Sequence, residues 1–130
     1  MKPNLAHAVS ILLALVGLLH LPPLIGALGA DRLRALYAIE VQEPNLEILL
    51  RHRAVFFVLL GIFLVYAAVR PAAQPLALGV GLVSVLSFVV LAQLVGDYNQ
   101  AIRRVVIADL VGAALLSAAT VLHLVHRPGG

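Results

Sequence analysis

The sequence predicts an all-α fold: a bundle of four transmembrane helices, with a short amphipathic interfacial helix between the first two. Three observations lead there. Of 130 residues, 62% are hydrophobic and 12% are charged. That is about half the charge of an ordinary soluble domain, too little to cover a globular surface in water. The apolar residues fall into four runs of near-membrane length, separated by polar punctuation. A span across about 30 Å of hydrocarbon needs about 20 helical residues. The alternation of period two expected of a membrane barrel is absent.

The first run extends from Leu5 to about Leu28 and is interrupted by His20, Pro22 and Pro23. Its short basic start, apolar centre and "ALGA" at 27–30 also fit a cleavable leader; we expect the segment to be retained as the first helix. The second run, Ala54 to Val69, has a helical lead-in from Pro44, which suits the first turn of a helix. The third covers Leu76 to Val95 and the fourth Val105 to Val125. These give helices over about 5–28, 44–69, 75–95 and 103–126 in a single membrane domain, 1–130.

The connectors differ in character. "RPAAQP" at 70–75 is a tight corner, and "GDYNQAIRR" at 96–104 is a turn leading into a new helix. The longest connector is "ADRLRALYAIEVQEPN" at 30–45. Asp31 is a good N-cap, and Leu33, Leu36 and Tyr37 share one helical face. This predicts the amphipathic helix in the interface, with Tyr37 at headgroup level.

Four spans place both termini on one side, with Lys2, Arg70 and Arg127. Arg32, Arg34, Arg51, Arg53, Arg103 and Arg104 belong to the other side, and the positive-inside rule makes that side cytoplasmic. There is no cysteine, which excludes disulfides, thiolate metal sites and CxxC redox chemistry. The basic residues are scattered rather than clustered, so nucleic acid is not an expected partner. No P-loop, GxGxxG or HExxH motif is present.

The polar residues gather at the cytoplasmic end. Arg51, His52 and Arg53 open the second span, while Asp97 to Arg104 and Asp109 surround the start of the fourth. Two helix N-termini point to the same end and favour an anion there. Arg51 and Arg53 lie about 200° apart around their helix, so one faces headgroups and the other, Arg53, the bundle. Asp109 lies about 6 Å inside the fourth run, too deep for a short carboxylate to reach water. We expect a cation from another helix beside it, Arg53 first and then His20 or His52. The alternative is an ion pair that fixes helix packing without any ligand. His20 sits in a proline-broken segment of the kind that lines cavities. His20, His52, Arg53, Arg104 and Asp109 are therefore the candidate ligand-binding residues, and no catalytic residue is assigned. At the opposite face His7, His123 and His126 are weak candidates for a metal or haem.

The stretches "RLRALYAIEVQEPNLEILLRHRAVFFVLLGIFLVYA" and "VGDYNQAIRRVVIADLVG" resemble the DoxX-like group of small bacterial membrane proteins. The resemblance implies a compact four-helix bundle in the bacterial inner membrane, multi-pass, with periplasmic termini on the orientation above. Some relatives in that group are linked to thiosulfate:quinone oxidoreduction, and no catalytic motif carries over to this chain.

The expected function is a non-enzymatic or accessory membrane protein whose polar pocket binds a quinone, a lipid headgroup or a similar amphipathic ligand. The alternatives are a quinone-linked oxidoreductase component and a structural subunit of a larger membrane complex. No cofactor is encoded, and a quinone or haem would have to be acquired. The expected partners are the bilayer, an amphipathic small molecule, and a second copy of the chain or a larger complex.

Overall fold

The computed structural model describes residues 3–126. Lys2 and Arg127, which entered the charge comparison above, lie outside them. The described chain forms α1 (Pro3–Leu19), α2 (Ala30–Tyr37), α3 (Pro44–Val69), α4 (Gln74–Val95) and α5 (Gln100–Val125). A 3₁₀ segment, Pro22–Leu28, continues α1, and a shorter one, Pro71–Ala73, precedes α4. Four segments are long and apolar enough to cross a membrane: Asn4–Leu28, Pro44–Val69, Pro71–Val95 and Gln100–Val125. The protein is a multi-pass membrane protein built as a four-helix bundle.

The four long helices close a ring in which α1 packs on α3 and α5, and α4 packs on α5 and α3. Val9, Leu13, Val16, Leu64, Val85 and Leu116 fill its centre with almost no exposure. Leu18, Phe56, Ile62, Val83 and Leu110 lie outside and are exposed. In water this surface would be prohibitive, whereas acyl chains solvate it as readily as the core does. α1 and α3 cross closely at Gly17 and Gly61. A methyl on Gly61 would lie 2.8 Å from the Gly17 carbonyl, and one on Gly17 would lie 2.8 Å from the Gly61 carbonyl. Only hydrogen at both positions lets the two backbones approach this closely.

The ends of the elements follow local chemistry. α1 stops at Leu19, before the expected end of the first helix at about 28. Pro22 and Pro23 lack the amide hydrogens an α-helix would need, and the chain tightens to 3₁₀ geometry. α3 starts as the sequence suggests, with Pro44 in the first turn, and the Glu43 carboxylate accepts from the Asn45 and Leu46 amides, both at 2.9 Å. α5 begins before the expected residue 103, because Asn99 caps it by accepting from the Ile102 amide at 2.8 Å. Gly96 and Asp97 both take positive φ, 70° and 51°, and so turn the chain from α4 into α5.

One expectation for α2 is corrected: Gly29, not Asp31, occupies the N-cap, and Asp31 falls in the first turn and pairs with Arg34 at 3.6 Å. Tyr37 is buried with Leu33 and Val41 in a second small cluster against Leu50, Ile102 and Val105. The apolar face of α2 closes the polar end of the bundle.

Candidate functional site

Asn99 and Arg51 both tie elements together at the polar end. Asn99 donates to the Tyr37 carbonyl at 2.8 Å and to the Ala38 carbonyl at 3.3 Å, which ties the start of α5 to the end of α2. Arg51 donates through Nε to the Ala27 carbonyl at 2.9 Å and pairs with Glu47 at 3.2 Å, which ties α3 to the 3₁₀ segment. Arg51 is exposed at this position.

Arg53, two residues on, turns the other way and is half-buried. Its guanidinium donates to the Tyr37 hydroxyl at 3.0 Å. It lies 4.4 Å from the Phe57 ring centroid, 5.3 Å from that of Phe88 and 5.7 Å from that of Tyr37. Aromatic faces carry partial negative charge, so the cage stabilises the cation without neutralising it. No carboxylate lies within 4.0 Å of Arg53; among the described residues the ion pairs are Arg34 with Asp31 and with Glu40, and Arg51 with Glu47. Among the described residues, four of its five N–H groups therefore have no hydrogen-bond partner.

Two cavities of about 350 Å³ meet at Arg53. One runs between α4 and the start of α5, past Phe88, Leu91, Val95, Tyr98 and Ile102. The other lies between α3 and α4, past Phe56, Leu60, Val80 and Ser84. Both are mostly apolar, with Arg53, Tyr98 and Ser84 as their polar residues.

Asp109 faces inward and is 7% exposed, but the ion pair expected for it is not formed. The Arg53 guanidinium gives its hydrogen bond to the Tyr37 hydroxyl instead. Asp109 Oδ2 is buried with no hydrogen-bond partner. The carboxylate lines a separate cavity of about 290 Å³ among α1, α2, α3 and α5, which also touches Arg104, Tyr37 and Phe57. The single pocket expected from the sequence is thus two compartments, with Arg53 and Asp109 in different ones and Tyr37 and Phe57 between them.

His20 is 3% exposed, donates through Nδ1 to the Val16 carbonyl at 2.8 Å and stacks on Phe57 at 5.3 Å. Its Nε2 is buried without a partner. His52 is exposed and meets Phe56 edge-on at 4.7 Å. Arg104 is exposed, at the wall of the Asp109 cavity. At the opposite face, His7 is exposed and His123 lines a small cavity with Pro75 and Thr120. Among the described residues no group of three His, Cys, Asp or Glu side chains could hold a metal.

Tyr37, Phe57 and Phe88 were not among the sequence candidates. Phe57 stands four residues after Arg53, on the same helical face, and that spacing was a readable signal for a cation over a ring. Phe88 comes from another helix, and sequence spacing cannot place it.

No protein-family model, curated protein or solved structure matches this chain.

Proposed function

We propose that this protein is an accessory, non-enzymatic membrane protein that holds a lipid-borne amphiphile by its accepting head. The head is either the anionic headgroup of a lipid or the carbonyl of a quinone, and Arg53 is its anchor. The observation that carries this reading is a guanidinium without a carboxylate, caged by Tyr37, Phe57 and Phe88 at the junction of two apolar cavities. A charge at the end of a span is costly unless it has a counter-ion, and the bilayer supplies one in its headgroups. The tail of the ligand would lie along Leu91 and Val95, exposed residues of α4.

The resemblance to the DoxX-like group supports a bacterial inner-membrane setting. The arginines of α2, of the start of α3 and of the start of α5 gather at one end, which favours that end in the cytoplasm and the termini in the periplasm.

Native mass spectrometry of the protein released from membranes tests the proposal. The wild type and Arg70→Gln should retain an anionic lipid or quinone adduct, and Arg53→Gln should lose most of it. Equal retention by Arg53→Gln and Arg70→Gln would reject it.

A further inference from the structure

The Asp109 cavity makes a different demand. Asp109, on α5, is nine-tenths buried, lines the cavity and has no hydrogen-bond partner for Oδ2. His20, equally buried, uses Nδ1 as the donor to Val16, so in the neutral ring Nε2 is an acceptor, and it too has no partner. The register of the helices puts both groups at one depth. The Cβ position of Gly112 lies 3.9 Å from Val16 Cγ1 where antiparallel α1 and α5 pack. Asp109 is one turn from Gly112 toward the polar end, and His20 is one turn from Val16 in the same direction. Among the described residues neither acceptor has a donor, and of the two Asp109 lines the cavity.

A buried acceptor left unpaired is costly, so the Asp109 carboxylate at this cavity is a standing preference for a donor from outside. The surroundings select its charge. Arg104 stands at the cavity wall, so a cationic ligand would meet a like charge. An anionic ligand would meet the carboxylate. A neutral hydroxyl meets neither objection, and the remaining walls, Leu19, Pro22, Pro23, Leu36 and Val105, are apolar. A volume of about 290 Å³ is at the lower end for small-molecule sites, enough for a head and the first part of a chain.

We infer that this cavity binds a neutral, hydroxyl-headed amphiphile such as a long-chain alcohol or acylglycerol, whose O–H donates to the Asp109 carboxylate. The site does not require the Arg53 cavities to be occupied, and its readout is separate from lipid retention by Arg53.

The test is thermal unfolding of the full chain in lipid nanodiscs, followed by circular dichroism, with 1-dodecanol or dodecyl methyl ether added. The two probes differ chiefly in the donor hydrogen. Dodecanol should raise the unfolding temperature by about 3–5 °C, as ligand linkage predicts for saturating binding, and the ether by under about 1 °C. Ala108→Phe, which fills the cavity from an exposed position without altering the carboxylate, should abolish the difference. Asp109→Leu should do the same; if that variant does not fold, Ala108→Phe decides alone. Equal shifts from alcohol and ether, or an undiminished alcohol shift in Ala108→Phe, would overturn the assignment.

Discussion

The Arg53 guanidinium donates to the Tyr37 hydroxyl at 3.0 Å, so the cation at the head of the second span is fixed by a residue of the short interfacial helix. This bond makes α2 part of the site and not merely a connector. Tyr37→Phe keeps the ring and removes the hydroxyl. We expect a loss of about 1–2 kcal/mol, measured by denaturant titration in mixed micelles, and weaker retention of the amphiphile at Arg53. Unchanged retention and stability would show that the ring alone positions Arg53.

The Gly17–Gly61 crossing sets the spacing of α1 and α3. Gly61→Ala puts a methyl 2.8 Å from a backbone carbonyl and 3.0 Å from His20 Cβ, and neither side chain flexibility nor a rotamer change relieves the first contact. The expected cost is about 1–3 kcal/mol. Gly79→Ala is the control, because nothing lies within 4 Å of that position. Equal unfolding midpoints for the two variants would contradict the close crossing.

Asn99 both caps α5 and binds the end of α2. Asn99→Asp keeps an accepting oxygen for Ile102 but loses the donor to the Tyr37 carbonyl; Asn99→Ala loses both. Hydrogen exchange should therefore quicken at the first turn of α5 in Asn99→Ala only, with the cap itself worth about 1 kcal/mol.

The cap of α3 responds to pH. The Asn45 and Leu46 amides favour the charged form of the Glu43 carboxylate and hold its pKa below the ordinary glutamate value. A depressed folded-state pKa means that the contribution is complete above the ordinary value and is lost as pH falls through the depressed one. Amide exchange at Asn45 and Leu46 should stay slow through neutral pH and quicken as the solution is acidified below the usual glutamate range. In Glu43→Gln that pH response should be absent.

The absence of cysteine makes the topology directly measurable. Ala72→Cys, in the corner before α4, and Gln100→Cys, at the start of α5, are exposed positions at opposite ends of the bundle. In intact cells an impermeant maleimide should label Ala72→Cys, whereas Gln100→Cys should react only after permeabilisation. The reverse pattern would invert the proposed orientation.

Composition and run length by themselves determined the four spans. In a bilayer each span must satisfy its own backbone hydrogen bonds, so length and hydropathy suffice to specify it. The separation of Arg51 from Arg53 followed from the 100° step of a helix, and the inward face of Asp109 from the cost of exposing a short carboxylate to lipid. Helix ends were less legible, because the cap at Asn99 depends on a single local hydrogen bond and the shortening of α1 on where the prolines stop the ladder. Only the tertiary structure decided which groups meet. It gave Arg53 to Tyr37, Phe57 and Phe88 rather than to Asp109, sent His52 to the outer surface, and set Asp109 and His20 at one depth without donors. Those pairings depend on the rotation and register of each helix against its neighbours. In a chain whose helices are apolar nearly all round, small residues such as Gly17 and Gly61 set that register, and no hydrophobic stripe along the sequence announces it.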